Sequence, residues 1–164
     1  MSSIEPKKLP QNIESGELIN YLPHKGKMFL LDHVTAHDTV ARTLESVSLV
    51  TKNHIFYDDE LGGIPSYVAF ELIAQSISAL SGITGAEMGR PAQPGFILSI
   101  VNYKANVPFF KEGTSVHVVL KKIDEMDRIM TYSGVAYSSE NPEEAAVETT
   151  LTVMETDDLR VLDK

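Results

Sequence analysis

Glu71 is the only Asp, Glu, Lys, Arg or His between Leu61 and Ala86. A carboxylate alone in a run as apolar as IPSYVAFELIAQSISALSG is costly to bury ionised, so it is either protonated or specially partnered. Groups kept in that state do chemistry or tie down a polar network. Gln75 follows one helical turn later on the same face, where it can orient Glu71 or bond a neighbouring sheet rather than react. His54 and Tyr57 share the polar loop TKNHIFYDDELGG, and loops of that length inside a domain tend to be functional. His54 is a candidate base, while Tyr57 is either a phenolic proton donor or a packing residue. His24, beside Pro23 and close to two lysines, reads as a structural turn histidine. His33, His37 and His117 fall at no metal-ligand spacing, so no metal site is expected.

Other chemistries lack their residues. Without cysteine there is no thiol nucleophile, thiolate ligand or disulfide. Ser76, Ser78 and Ser81 sit in no G-x-S-x-G elbow. GAEMGRPAQPG has neither the spacing nor the setting of a phosphate-binding loop, and no cofactor is expected.

The elements that must position Glu71 follow from periodicity. Pro65 to about Ser81 predicts a helix, with Pro as an early residue and Gly82 as its C-terminal cap. Apolar nearly all round, it should be buried, and its length is about 25 Å. Ahead of it lie a short helix from Gly16 to Tyr21 ended by Pro23, and strands at MFLLDHVTAHD and TVARTLESVSLV. After a loop at GAEMGRPAQPG come strands at FILSIVNYKANV, HVVLKKI, MTYSGVAYS and AAVETTLTVME, with an acidic turn at SENPEE. Residues 1–15 read as a flexible or surface-draped lead and 157–164 as a loose tail. Two strands, one buried helix and four strands make a single α+β domain over residues 1–164, its antiparallel sheet wrapping the helix.

Composition narrows the partners. Fourteen basic against twenty-three acidic residues give a net charge of −9, which argues against nucleic acid. No uninterrupted apolar run reaches the roughly 20 residues of a membrane span. The opening MSSIEPKKLPQNIESGEL carries no hydrophobic signal region, so the expected location is the cytoplasm.

LPHKGKMFLLDHV resembles the LPHR-x-P-hydrophobic-LLVDRV opening of bacterial β-hydroxyacyl-acyl-carrier-protein dehydratases of the hotdog fold. IPSYVAFELIAQS is similar to their central-helix stretch F-P-G-V-x-x-x-E-A-M-A-Q, and ILSIVNYKANVPFFKEGTSV to their later strand pair, with Pro108 and Gly113 in matching places. The three pieces run in the same order over Leu18 to Val119, and the nearest likeness is to dehydratase-like proteins of aryl-polyene pathways. The resemblance implies a hotdog fold, a central helix wrapped by five to six strands. It also implies a reaction in which a histidine takes the α-proton of a β-hydroxyacyl thioester while the Glu71 carboxyl helps the hydroxyl leave. Ser66 would hold the thioester oxygen through its backbone N–H at the helix start; Tyr57 and Gln75 would complete the substrate site. An acyl carrier protein is the implied partner, docking on candidates Lys25, Lys104 and Lys111. A homodimer, or a heterodimer with a related dehydratase, is implied too, with base and acid from different chains. One departure stands out: the family histidine lies fourteen residues before the carboxylate, where this chain has Tyr57, and His54 lies seventeen before it. A three-residue loop insertion would restore His54 to the role. A non-catalytic or half-catalytic subunit and a hotdog thioesterase remain as alternatives.

Overall fold

The structure, a computed structural model, describes residues 8–91 and 95–155. Along the chain run β1 (Ile13–Glu14), α1 (Ser15–Leu18), β2 (His33–Asp38), β3 (Thr43–Leu49), β4 (Gly63–Pro65) and α2 (Ala69–Met88). There follow β5 (Gly95–Ala105), β6 (Phe109–Lys111), β7 (Ser115–Met126), β8 (Ile129–Ser138) and β9 (Asn141–Glu155). Seven strands form one antiparallel sheet in the order β1-β2-β3-β7-β8-β9-β5, and β4 pairs with β6 in a small second sheet. The main sheet thus exceeds the five to six strands expected. The extra one, β1, is two residues long and too short to show a period.

Two-residue alternation gives the sheet its inner face. In β7, Val116, Val118 and Leu120 are buried; in β9, Val147, Thr149, Leu151, Val153 and Glu155 are. Against that face lies α2, whose Leu72, Ile73, Leu80 and Ile83 are wholly buried. By length and composition Ser66–Met88 would pass as a membrane span, contrary to the reading of its sequence, but most of it is buried inside the protein. Its apolarity is that of a core helix.

Several boundaries differ from expectation. Gly82 does not cap α2, which runs on to Met88 and ends at Gly89 in the left-handed conformation with φ 69°. Gly82 is needed mid-helix instead: a Cβ there would lie 2.0 Å from the carbonyl oxygen of Tyr21. The expected acidic turn at SENPEE shrinks because β9 already begins at Asn141. Part of the expected lead is docked. Leu9 and Ile13 are buried, the Leu9 N–H donates to Glu87 Oε2 at 2.9 Å, and the Pro10 carbonyl lies 2.7 Å from His37 Nε2. Residues 1–7 of that lead, and the 157–164 tail, lie outside the described residues.

Candidate active site

A stripe of α2 formed by Glu71, Ala74, Ser78 and Ser81 lines a cavity of about 570 Å³. Spacings of three and four residues keep these positions on one helix face. Opposite them stand Tyr21 to His24 from the turn after α1, Gly95 and Ile97 of β5, and Val153 and Glu155 of β9. One end of this largely apolar trough therefore holds the Glu71 carboxyl.

Glu71 is not sealed in the core: its side chain is 30% exposed, with the carboxyl at the cavity. Gln75, wholly buried, fixes it. The Leu30 N–H donates to Gln75 Oε1 at 2.9 Å, which settles how the amide is turned. Its Nε2 then donates to the Met28 carbonyl at 2.8 Å and to Glu71 Oε1 at 3.1 Å. With Oε1 occupied as an acceptor, Oε2 is the oxygen left to carry a proton. Gln75 was expected among the substrate-binding residues; its hydrogen bonds make it a positioning residue, the other part of that expectation.

His24 is the residue that sequence reasoning undervalued. Its Nε2 lies 3.6 Å from Glu71 Oε1, and both side chains line the cavity. That separation is too long for a hydrogen bond, although catalytic contacts commonly tighten when substrate binds. The Nδ1 atom is buried without a hydrogen-bond partner. The ring therefore presents its Nε2 edge to Glu71. Lys25 holds this turn by donating to the carbonyls of Ile19 and Leu22. Its ammonium is therefore engaged within the chain, although the residue is exposed. The available signal was the Pro23-His24-Lys25 turn itself, read as purely structural.

The structure does not bring His54 and Tyr57 to this cavity, whose lining includes neither. His54 is partly buried, and desolvation holds its imidazole below the ordinary value, with Asp32 pulling weakly the other way. The Phe56 N–H donates to His54 Nδ1 at 3.1 Å, so the neutral ring carries its proton on Nε2, which is buried and unpartnered. Tyr57 donates its backbone N–H to the His54 carbonyl at 3.0 Å, tightening the loop. The Ser66 N–H, expected to face a thioester oxygen, is accepted by the Pro108 carbonyl at 3.1 Å. The reason is local: the β4–β6 ladder continues one step past the Pro65–Phe109 pair into the helix start. Ser76, buried, bonds Ser46 at 2.8 Å and is no nucleophile. Among the described residues no group of three or more His, Asp or Glu could hold a metal ion.

A long helix wrapped by an antiparallel sheet, with a carboxyl near its N-terminus opening on an apolar trough, defines a hotdog-fold protein. Residues 17–163 match the model of the ApeP-like family, described as ApeP dehydratase, and the chain belongs to that dehydratase family. Among solved structures it is similar to the dehydratase heterocomplex ApeI:P from Xenorhabdus doucetiae. There the TM-score is 0.78 at 19% identity, over 89% of this chain and 95% of that one. A Streptococcus mutans protein bound to acetyl CoA matches with a TM-score of 0.62 at 12% identity, over 84% of this chain and 97% of that one. A hypothetical thioesterase with coenzyme A from Streptococcus pneumoniae matches with a TM-score of 0.59 at 10% identity, over 84% and 90%. At such identities the likeness is one of fold. No curated protein sequence matches significantly.

Proposed function

We propose that the chain dehydrates a β-hydroxyacyl thioester carried on an acyl carrier protein, with Glu71 as the acid. The observation that carries this reading is a carboxyl whose Oε1 is fixed by Gln75 and whose other oxygen is free to bear a proton, placed at one end of an apolar cavity. The acyl chain lies along the Glu71–Ser81 stripe, bringing the β-hydroxyl to Glu71. A histidine base removes the α-proton, the electrons of that C–H bond form the double bond, and the Cβ–O bond breaks as Glu71 protonates the departing hydroxyl to water. The exposed Lys104 and Lys111 are the candidate cations for an acidic carrier protein.

The base comes from a second subunit, either His54 of another copy or the histidine of a related dehydratase. The second arrangement makes this chain half of a heteromeric enzyme, and one observation favours it. A base needs an open lone pair, whereas His54 has Nδ1 occupied by the Phe56 N–H. The surface for a second subunit is β5, an edge strand whose Leu98, Ile100 and Val101 are exposed. Sheet edges of that kind pair with other chains unless blocked.

The test is ultraviolet detection of the α,β-unsaturated thioester from β-hydroxyacyl carrier protein, using the chain alone and with a partner dehydratase. Glu71→Gln should lower turnover about a hundred- to ten-thousand-fold. Full activity in that variant, or release of free thiol in place of the unsaturated product, contradicts the proposal.

A further inference from the structure

We infer that the buried Arg42–Glu155 pair is the end wall of the acyl cavity and sets the longest chain the site accepts. This rests on the acyl-thioester reading above, and the argument begins with alternation along β9. Val147, Thr149, Leu151 and Val153 face inward, so Glu155 does too, and it is only 5% exposed. A carboxylate there must be paired, and Arg42 reaches in from the β2–β3 connection, where its backbone is left-handed at φ 61°. Arg42 Nη2 lies 2.8 Å from both Glu155 Oε1 and Tyr132 Oη, and Nη1 lies 3.2 Å from Thr84 Oγ1 of α2.

Beyond this pair is a second cavity of about 390 Å³, and Glu155 lines both it and the Glu71 cavity. Glu155 is thus the partition between them, with Arg42 backing it from the side of the second cavity. From Glu71 to Ser81 the helix rises about 15 Å, past the apolar side chains of Ile77, Ile97 and Val153. Each methylene laid along such walls strengthens binding about fourfold. A chain that reaches the partition meets desolvated charges braced by Tyr132 and Thr84, and further methylenes gain nothing.

The experiment measures kcat/KM for β-hydroxyacyl carrier-protein substrates from hexanoyl to hexadecanoyl, with the protein in its active assembly. In the unaltered protein the value should climb about fourfold per methylene and then stop at a defined length. Replacing both partners, Arg42→Met with Glu155→Ala, removes the charges together and should carry the climb on to longer chains. Glu155→Gln, which keeps the outline, should leave the break where it was, while Glu155→Asp should shift it slightly outward. An unmoved break in the double variant with a cooperative melting transition overturns the inference, as does an equal shift in Glu155→Gln. If the double variant does not fold, an unmoved break in Glu155→Asp overturns it as well. No dehydration of any chain length by the unaltered protein rejects the parent reading, an outcome no wall variant imitates.

Discussion

At the scale of single residues the chemistry hangs on how Gln75 holds Glu71. Gln75 joins α2 to the segment before β2 through the Leu30 N–H and the Met28 carbonyl, so the carboxyl inherits its orientation from two backbone groups. Gln75→Ala should leave the buried Leu30 N–H without a partner, costing about 1–3 kcal/mol, and urea denaturation would measure it. A second prediction concerns His54. Because burial holds its imidazole below the ordinary value of 6.5, the folded chain binds that proton less readily than the unfolded chain. The resulting stabilisation is complete above the unfolded value and is lost as pH falls through it towards the lower folded value. The denaturation midpoint should therefore drop below about pH 6.5 more steeply in the native sequence than in His54→Gln; parallel curves would show that His54 is not buried as described. Glu71 and Gln75 were legible in the sequence because a lone charge in an apolar run and a helical spacing of four are local facts. His24 was not, since its approach to Glu71 depends on a turn packed across the helix from forty-seven residues away.

Among the elements, α2 sets the geometry, and its burial explains both what the sequence disclosed and what it hid. Apolarity marked the helix, although Pro65, expected as an early helical residue, closes β4 and α2 itself begins at Ala69; two-residue alternation marked β3 and β9. Gly82 looked like a stop because glycine ends many helices. Here it answers a contact from outside the segment, the Tyr21 carbonyl, which no local pattern reveals. Gly82→Ala should accordingly destabilise the fold by about 1–3 kcal/mol through overpacking, even though alanine is the better helix former. A thermal melt at or above that of the native sequence would show that α2 and the Tyr21 turn are not in close contact. The short strands β1, β4 and β6 escaped notice for a different reason. Two or three residues carry no measurable period, and only their partners define them.

For the whole molecule the decisive feature is an unfinished edge. β5 closes the seven-stranded sheet on one side, its outer edge carries no further strand among the described residues, and it leaves Leu98, Ile100 and Val101 exposed at 51%, 44% and 46%. Residues placed so suit burial by another subunit, and the same strand borders the Glu71 cavity through Ile97. Ile100→Lys should raise the dissociation constant of the assembly at least about tenfold, or ~1.4 kcal/mol, as read by analytical ultracentrifugation. An unchanged sedimentation profile would place the interface elsewhere. The claim on which all of this depends is that Glu71 exchanges a proton with the β-hydroxyl of an acyl thioester. It is tested most directly by running the reaction backwards, hydrating an α,β-unsaturated acyl carrier protein in heavy-oxygen water and locating the label by mass spectrometry. The account predicts label on the β-carbon hydroxyl with the native sequence and almost none with Glu71→Gln. Label in a released carboxylate, or equal β-hydroxyl labelling by both proteins, would contradict it.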